Sequence, residues 1–503
     1  SSCRCFSAFN AAHNSWSNPS IDIFCVNIIP PSLLKFRCII PIIELLARKF
    51  LAINTINQQN RQLMNKTFIE RNNKLICLIL IVCIFIAGWL IQQAGLFSCD
   101  VSWLMRVTLR FLHGGNYQNN FIEPNPPLIL YLYSLPASIA QIFHLSIITT
   151  SRLFTFSIAA LSLIISNHLA KKIISDEIQF DLFMIILAMV FVLLPAFEFG
   201  QREHLTLMMI VPYLLLVSSR YSKIKISRWL IIIVGLLAGI GFSIKPFFFI
   251  FPLLLECYFI FKLKNIFYCF RLENIIIVTV VLLYLLSIFI ITPQYIHTSF
   301  PLAWHLYYGT YKLPFIYLSI QPYVLFSIAS LILYIVIRKT IKHVNLCDIF
   351  ALGIVGFLIA FFAEGTAWCY HILPAVGLSC LLMSLCLIDF VKYLLKGRQR
   401  FIVTILLLII AFSVPATISY NLYQQGITFK NRPEARQMVA IMNQKAKNRS
   451  VFIFSNTITS LYPLKAKNRP YSASRFGSTL WFLPGLLKTT NKKSKPKVSE
   501  KKN

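Results

Sequence analysis

Between residues 75 and 418 the chain is a series of apolar runs parted by short polar loops, and that series constrains the fold more than any single motif. The runs cover 75–94, 153–169, 180–196, 205–217, 229–244, 247–261, 275–291, 314–337, 349–363, 370–388 and 401–418. A helix needs roughly twenty residues to cross the hydrocarbon core of a bilayer, about seventeen at the short end. Most of the runs meet that length. Runs 205–217 and 247–261 fall short, so both are expected to pack inside a bundle. Hydrophobic residues make up 57% of the sequence, charged ones 13%, and the mean hydropathy is +0.70. A water-soluble domain could not bury that much apolar surface. The expected class is therefore an all-α polytopic membrane protein.

Loop charge sets the topology. Lys171 and Lys172; Arg220, Lys223, Lys225 and Arg228; Lys262, Lys264 and Arg271; Arg338, Lys339 and Lys342; and Lys392, Lys396, Arg398 and Arg400 form basic loops. The positive-inside rule wants all of them in the cytoplasm. A further run, 128–145, is broken by Pro136. If it crossed, every basic loop after it would lie outside. It is therefore expected to lie along the interface or re-enter, leaving about eleven spanning helices with the chain entering from inside. The net charge of +31, from 48 Lys and Arg against 17 Asp and Glu, then reflects topology plus a basic end at 488–502. It is no nucleic-acid signature. None of the thirteen cysteines forms a metal-spaced pair, and most read as small apolar fillers.

The flanks read differently. Residues 1–63 are expected to be an extension, with Met64 opening a short basic lead into the first run as the natural start; the alternative is a genuine extension without chemistry. Residues 64–418 are the membrane domain. The segment 419–487 is expected outside as a small α/β cap, with an amphipathic helix over 431–442 started by Pro433 and a strand over 450–454. Residues 488–503 read as a basic disordered tail.

On this topology the outer loops collect the polar residues able to do chemistry. Asp100 opens the first loop, either as a reactive acid or as the N-cap of a helix over 101–112. Arg106 and Arg110 are four apart on that helix, spaced to grip a phosphate or to snorkel to headgroups. Tyr117 and Glu123 follow the Gly114-Gly115 turn, and Pro124, Pro126 and Pro127 fix an extended exit. The second outer loop packs Glu198, Arg202, Glu203 and His204 into seven residues, as a functional group or a salt-bridged cap. Lys245 ends a helix on the same side. Glu364, Trp368, Tyr370 and His371 form a late loop. Asp100, Glu203 and His204 offer a set for a divalent metal, with Glu364 and His371 as further candidates; no cofactor follows from their spacing.

Asp100, Gly115-Asn116-Tyr117 and Glu123-Pro-Asn-Pro-Pro127 together resemble the first outer loop of GT-C glycosyltransferases. The branch is the one holding protein O-mannosyltransferases and lipid A aminoarabinose transferases. Arg202-Glu203-His204, the Gly-rich 239–245 segment ending in Lys245, and Tyr370-His-Ile-Leu-Pro374 extend the likeness over most of 75–418. The resemblance implies a GT-C-like bundle with an interfacial helix after the first loop. It also implies sugar transfer from a polyprenyl-phosphate carrier to a glycolipid, glycan or protein acceptor. By the same resemblance Asp100 is the essential carboxylate of the first loop, acting as base toward the acceptor hydroxyl or helping to bind it or a metal, and Glu203 is the second-loop carboxylate, where many members have Asp. Arg202, Lys245 and Arg106 would face the donor phosphate. A bacterial inner membrane with the site facing the periplasm is the expected setting. A secondary transporter or polyprenyl-lipid flippase is the competing class. It would favour ionisable groups in mid-helix and an internal repeat, and neither is visible here.

Overall fold

The computed structural model describes residues 66–95, 97–309, 312–395, 399–446, 449–453, 461–465, 471–472 and 475. The extension before Met64, the basic tail and Phe454 at the end of the expected strand lie outside these residues. The chain divides into two units, Ser1–Asn73 and Lys74–Asn503, and the helical bundle belongs to the second. In order the elements are α1 (Lys66–Ala94), α2 (Cys99–Leu112), α3 (Leu128–Ile142), α4 (Ile147–Ile173), α5 (Glu177–Val192), α6 (Arg202–Tyr221) and α7 (Arg228–Ser243). Then come α8 (Ile250–Leu263), α9 (Leu272–Ile291), α10 (Phe300–Gly309), α11 (Phe315–Ser319), α12 (Pro322–Ile337), α13 (Val344–Glu364), α14 (Leu373–Leu394) and α15 (Gln399–Asn431). Last are α16 (Pro433–Lys445), β1 (Ser450–Val451), α17 (Leu461–Lys465) and β2 (Tyr471–Ser472).

Eight helical stretches among the described residues are long and apolar enough to cross a membrane, making this a multi-pass membrane protein. They correspond to eight of the eleven apolar runs. The other three form α5, α6 and α7. α5 and α7 have 16 residues each, and α6 carries Arg202, Glu203, His204 and Arg220 at its ends. Run 205–217 is inside the bundle as expected, for every residue of α6 from Arg202 to Ser219 is buried. Run 247–261 is not. Helical structure continues from a 3-10 turn at Pro246–Phe249 to Leu263, 18 residues in all, and Leu253 (65%) and Phe261 (80%) stay exposed, so α8 stands at the periphery. The expected span 314–337 is also interrupted: α11 ends at Ser319 and α12 starts afresh with Pro322 in its first turn. α14 lies at the centre, every residue of its apolar window being buried.

Side-chain contacts sort the helix ends into two sets. At one end Lys74 pairs with Glu177 (3.6 Å), Lys392 with Asp176 (2.9 Å), Arg338 with Asp348 (2.9 Å) and Arg220 with Glu273 (3.3 Å). Gln179 donates to Asp389 there at 2.9 Å. These are the basic loops and the few acids near them. The opposite ends of the same helices carry Asp100, Arg202, Glu203, Lys245, Glu364 and His371. α3 belongs to this second end. Its Leu128 N–H donates to the Tyr284 hydroxyl (3.4 Å), Tyr131 Oη meets Thr292 Oγ1 (3.1 Å), and Tyr133 donates to the Gly200 carbonyl. At 15 residues α3 is about 22 Å long, short of the roughly 30 Å core.

The chain does not leave helix where the sequence turns polar at 418. α15 runs 33 residues to Asn431. Ser419 Oγ donates to Leu194 O at 2.7 Å, and Lys430 Nζ to Gln93 O (3.1 Å) and Ala94 O (2.7 Å), covering the last carbonyls of α1. Pro433 starts α16 as expected. The strand is shorter than expected: β1 holds two residues, in parallel register with β2. Met442 and Ala446 pack with Met438, Val451, Ile453 and Tyr462 in a core of their own. The segment reaches back to the first loop, where Ile122 N–H donates to Arg475 O (2.8 Å).

The glycines of α7 explain its seat. A Cβ on Gly239 would lie 2.8 Å from Val280 Cβ of α9, and one on Gly241 would lie 3.1 Å from Met209 Cβ of α6. Close backbone approach is what small residues provide between membrane helices. It fixes where the end of α7, and so Lys245, meets α6. Gly239→Ala should therefore overpack the α7–α9 contact and cost about 1–3 kcal/mol, read as a lower Tm in detergent. An unchanged Tm would refute the close packing.

Candidate active site

The site is built around the turn that enters α6. A 3-10 turn (Ala196–Glu198) follows α5, and Gly200 adopts φ +86°, a left-handed conformation that lets the chain reverse. His204, in the first turn of α6, ties the entry turn down. Its Nδ1 accepts from the Gly200 N–H (3.1 Å), while Nε2 donates to Phe191 O (2.7 Å). Both ring nitrogens are thereby used on backbone. His204 does not join Asp100 and Glu203 in a metal set; its role is to hold the turn.

Three segments bring charge to Glu203. Lys245, just after α7, donates to Glu203 Oε1 and to both oxygens of Glu364 (3.2 Å each) at the end of α13. His371 Nδ1 lies 2.5 Å from Glu364 Oε2 and 2.8 Å from Thr366 Oγ1, and its Nε2 lies 3.7 Å from Glu203 Oε1. Lys245 is 7% exposed, Glu364 6%, His371 3% and Glu203 not at all. An unpaired ion at such burial would be costly, and the Lys245 ammonium lies between the two carboxylates and compensates both. The Tyr370 ring forms one wall, with the Arg202 guanidinium 5.7 Å and Lys245 Nζ 5.9 Å from its centroid. Glu203, Glu364 and His371 offer ligand atoms within 4.8 Å of one another, the geometry of a three-ligand cation site. The Lys245 ammonium already serves both carboxylates, so a divalent ion would have to displace it.

Asp100 stands apart from this quartet. Ser98 occupies the N-cap of α2, which puts Asp100 in the first turn. Gln201 connects it to the α6 turn: its Nε2 reaches Asp100 Oδ2 (3.3 Å), Ser98 Oγ (3.3 Å) and Glu198 Oε2 (3.2 Å). Burial, and then the charge of Asp100, push the Glu198 carboxyl up to about 8. Glu123 is buried and accepts from Trp103 Nε1 (2.5 Å) and Asn125 N (2.8 Å). Burial raises its pKa too, with Arg202 and Asn125 opposing. Tyr117 is fully buried, its ring edge-on to Phe121 and Tyr295. Arg106 and Arg110 do not snorkel. Both are buried, and Arg110 holds the loop through Asn120 O (2.9 Å).

The sequence-derived residues thus fall into three adjoining groups. Glu203, Lys245, Glu364 and His371 meet directly, Asp100 is linked through Gln201 to Glu198, and Tyr117 and Glu123 lie buried in the first loop, with Arg106 buried on α2. Gln201, Trp103 and Thr366 belong to none of the sequence motifs.

The raised Glu198 pKa has a definite sign. A carboxyl that holds its proton to higher pH in the fold than when unfolded withdraws stability as pH rises between the two values. Glu198→Gln should therefore gain Tm over the parent as pH rises from about 5 to about 8, with no further gain above that. A pH-independent difference would show that Glu198 ionises normally.

No protein-family model matches the sequence, and no curated protein sequence matches it. The fold does have a match. The crystal structure of ArnT from Cupriavidus metallidurans bound to undecaprenyl phosphate aligns with a TM-score of 0.52 over 82% of this chain and 88% of that one, at 12% identity. At that identity the likeness is one of fold alone.

Proposed function

We propose that the chain is an integral membrane glycosyltransferase that takes a sugar from a polyprenyl-phosphate donor and passes it to a glycolipid, glycan or protein acceptor. The observation that carries this reading is the meeting of Glu203, Lys245, Glu364 and His371, with Arg202 against Tyr370 and Asp100 linked to the start of α6 through Gln201, at one end of a GT-C-like bundle. The similar ArnT structure was solved with undecaprenyl phosphate, which supports a lipid-linked donor here. A transporter or flippase fits less well, since these ionisable groups crowd helix ends instead of mid-helix positions.

The reaction assigned to the site is a displacement at the anomeric carbon. The acceptor oxygen forms the new C–O bond, its proton passes to Asp100, and the bond to the donor phosphate breaks with its electrons on the phosphate. The leaving polyprenyl phosphate then needs positive charge aimed at it, which Arg202, Lys245 and Arg106 supply. To serve, Lys245 must trade a carboxylate contact for a phosphate oxygen. Glu203 is the acid that releases it, and Glu364 with His371 holds its other side. A divalent cation at Glu203, Glu364 and His371 is an alternative occupant of the same place.

The finer topology belongs to the same proposal. About eleven helices cross, α5 and α7 being short spans and α6 a buried one with charged ends, while α3 lies along the outer interface. The segment 419–487 and the site face the periplasm across a bacterial inner membrane, beyond a membrane domain of 64–418. Single cysteines placed at Gly114 and Lys339 of an otherwise cysteine-free chain should report this. A membrane-impermeant maleimide added to intact spheroplasts should label the first and spare the second; the reverse pattern would invert the topology.

Activity is tested with purified protein in lipid, labelled polyprenyl-phosphate sugars and a panel of acceptors. Transfer should occur, and Asp100→Asn should cut kcat by about 10²–10⁴, the range of a lost general base. Normal transfer by the folded variant would remove Asp100 as the base. Uptake without transfer would favour the transporter.

A further inference from the structure

Gln201 sits fully buried at the N-cap of α6, and its two ends are treated unequally. Its amide nitrogen serves Ser98 Oγ, Asp100 Oδ2 and Glu198 Oε2 at 3.2–3.3 Å. Its carbonyl oxygen Oε1 is buried and, among the described residues, receives no hydrogen bond. The orientation is not arbitrary. An amide nitrogen can satisfy the Asp100 carboxylate and the Ser98 hydroxyl, whereas an oxygen facing the carboxylate would be repelled. Holding the nitrogen there aims the oxygen away from all three partners.

An orphaned buried acceptor costs about 1–3 kcal/mol, and native proteins seldom carry one without a ligand or role. A second orphan stands two residues on. Glu203 Oε2 is buried without a hydrogen-bond partner among the described residues, while its Oε1 is held by Lys245. The first turn of α6 thus presents two buried acceptors that lack donors. A small crevice of about 20 Å³, room for one water-sized group, lies close by between Glu198, Tyr323, Tyr370, Leu373 and Ile418.

We propose that Gln201 is the acceptor-reading residue of the site: its free carbonyl oxygen accepts a hydrogen bond from a hydroxyl of the incoming acceptor, while its amide nitrogen holds Asp100 beside that group. Glu203 Oε2 takes a second acceptor hydroxyl. The substrate class this chemistry selects is a polyol surface, such as a sugar ring or a polyhydroxylated headgroup, and not an apolar or purely anionic acceptor. This rests on the glycosyl-transfer reading above and adds to it which residue recognises the acceptor and by what chemistry.

Gln201→Met keeps the length and removes both hydrogen-bonding ends. In the proteoliposome assay it should raise KM for the acceptor about tenfold, the effect of roughly 1.4 kcal/mol, and leave KM for the lipid-linked donor within about twofold. Donor binding followed by thermal shift with undecaprenyl phosphate alone should persist, which a merely unfolded variant would not allow. Gln201→Asn, which withdraws the oxygen by one methylene but keeps the amide, should fall between the two and gives the same readout if the Met variant does not fold. Equal losses in donor and acceptor KM, or an unchanged acceptor KM, would overturn the role of Gln201 while leaving the transferase reading intact. Absence of transfer by the parent protein across the panel would overturn that reading, and this one with it.

Discussion

Everything at the site end of the bundle depends on how buried charge is compensated. Glu203, Glu364, Lys245 and His371 come from four stretches of chain, and each is nearly or fully hidden from solvent. Removing any one from its partners would strand an ion in a low-dielectric surrounding. The ends of α7 and α13 and the starts of α6 and α14 are therefore bound to one another by more than packing. The glycines of α7 serve the same arrangement, because Lys245 reaches Glu203 only if α7 lies close along α6 and α9. Beside the quartet runs a second, softer network through Gln201, in which one carboxamide holds two acids. The two networks share the first turn of α6.

Much of this could be read from the sequence. Apolar periodicity and loop charge separate the two ends of the bundle, because the membrane imposes both signals on local composition. The structure accordingly brings Asp100, Arg202, Glu203, Lys245, Glu364 and His371 to one end and the basic loops to the other. The GT-C resemblance, resting on a few short strings, agrees with the fold of ArnT despite 12% identity. Other parts were not legible, for physical reasons. His204 looks like a ligand beside Glu203, yet helical geometry turns its ring toward the Gly200 turn. Run 247–261 looks too short to face lipid, but the helical stretch extends past both its ends, from Pro246 to Leu263. Gln201 carries no charge, and its importance lies in what its two ends touch, which no spacing reveals.

The first loop illustrates how a polar segment is made rigid. Glu123 accepts from Trp103 and Asn125, Arg110 fixes Asn120, and Asn116 Oδ1 accepts from the backbone of Gln118 and Asn119. The loop is also held from outside, by Arg475 on Ile122 and by Tyr295 on Tyr117 and Pro124. The floor of the site is thus preformed, and ordering it on substrate arrival would cost little conformational entropy.

The long α15 has a consequence of its own. At 33 residues it is about 50 Å long, roughly 20 Å more than the hydrocarbon core requires. Its excess is pinned at two heights, by Ser419 on Leu194 and by Lys430 on the end of α1. Such a rod acts as a ruler with a phase. Each residue added or removed between the two pins changes its length by about 1.5 Å and turns its far end by about 100°. The reach of the C-terminal segment to Ile122 is therefore set by residue count as much as by residue type. Substitutions there are tolerable where insertions are not.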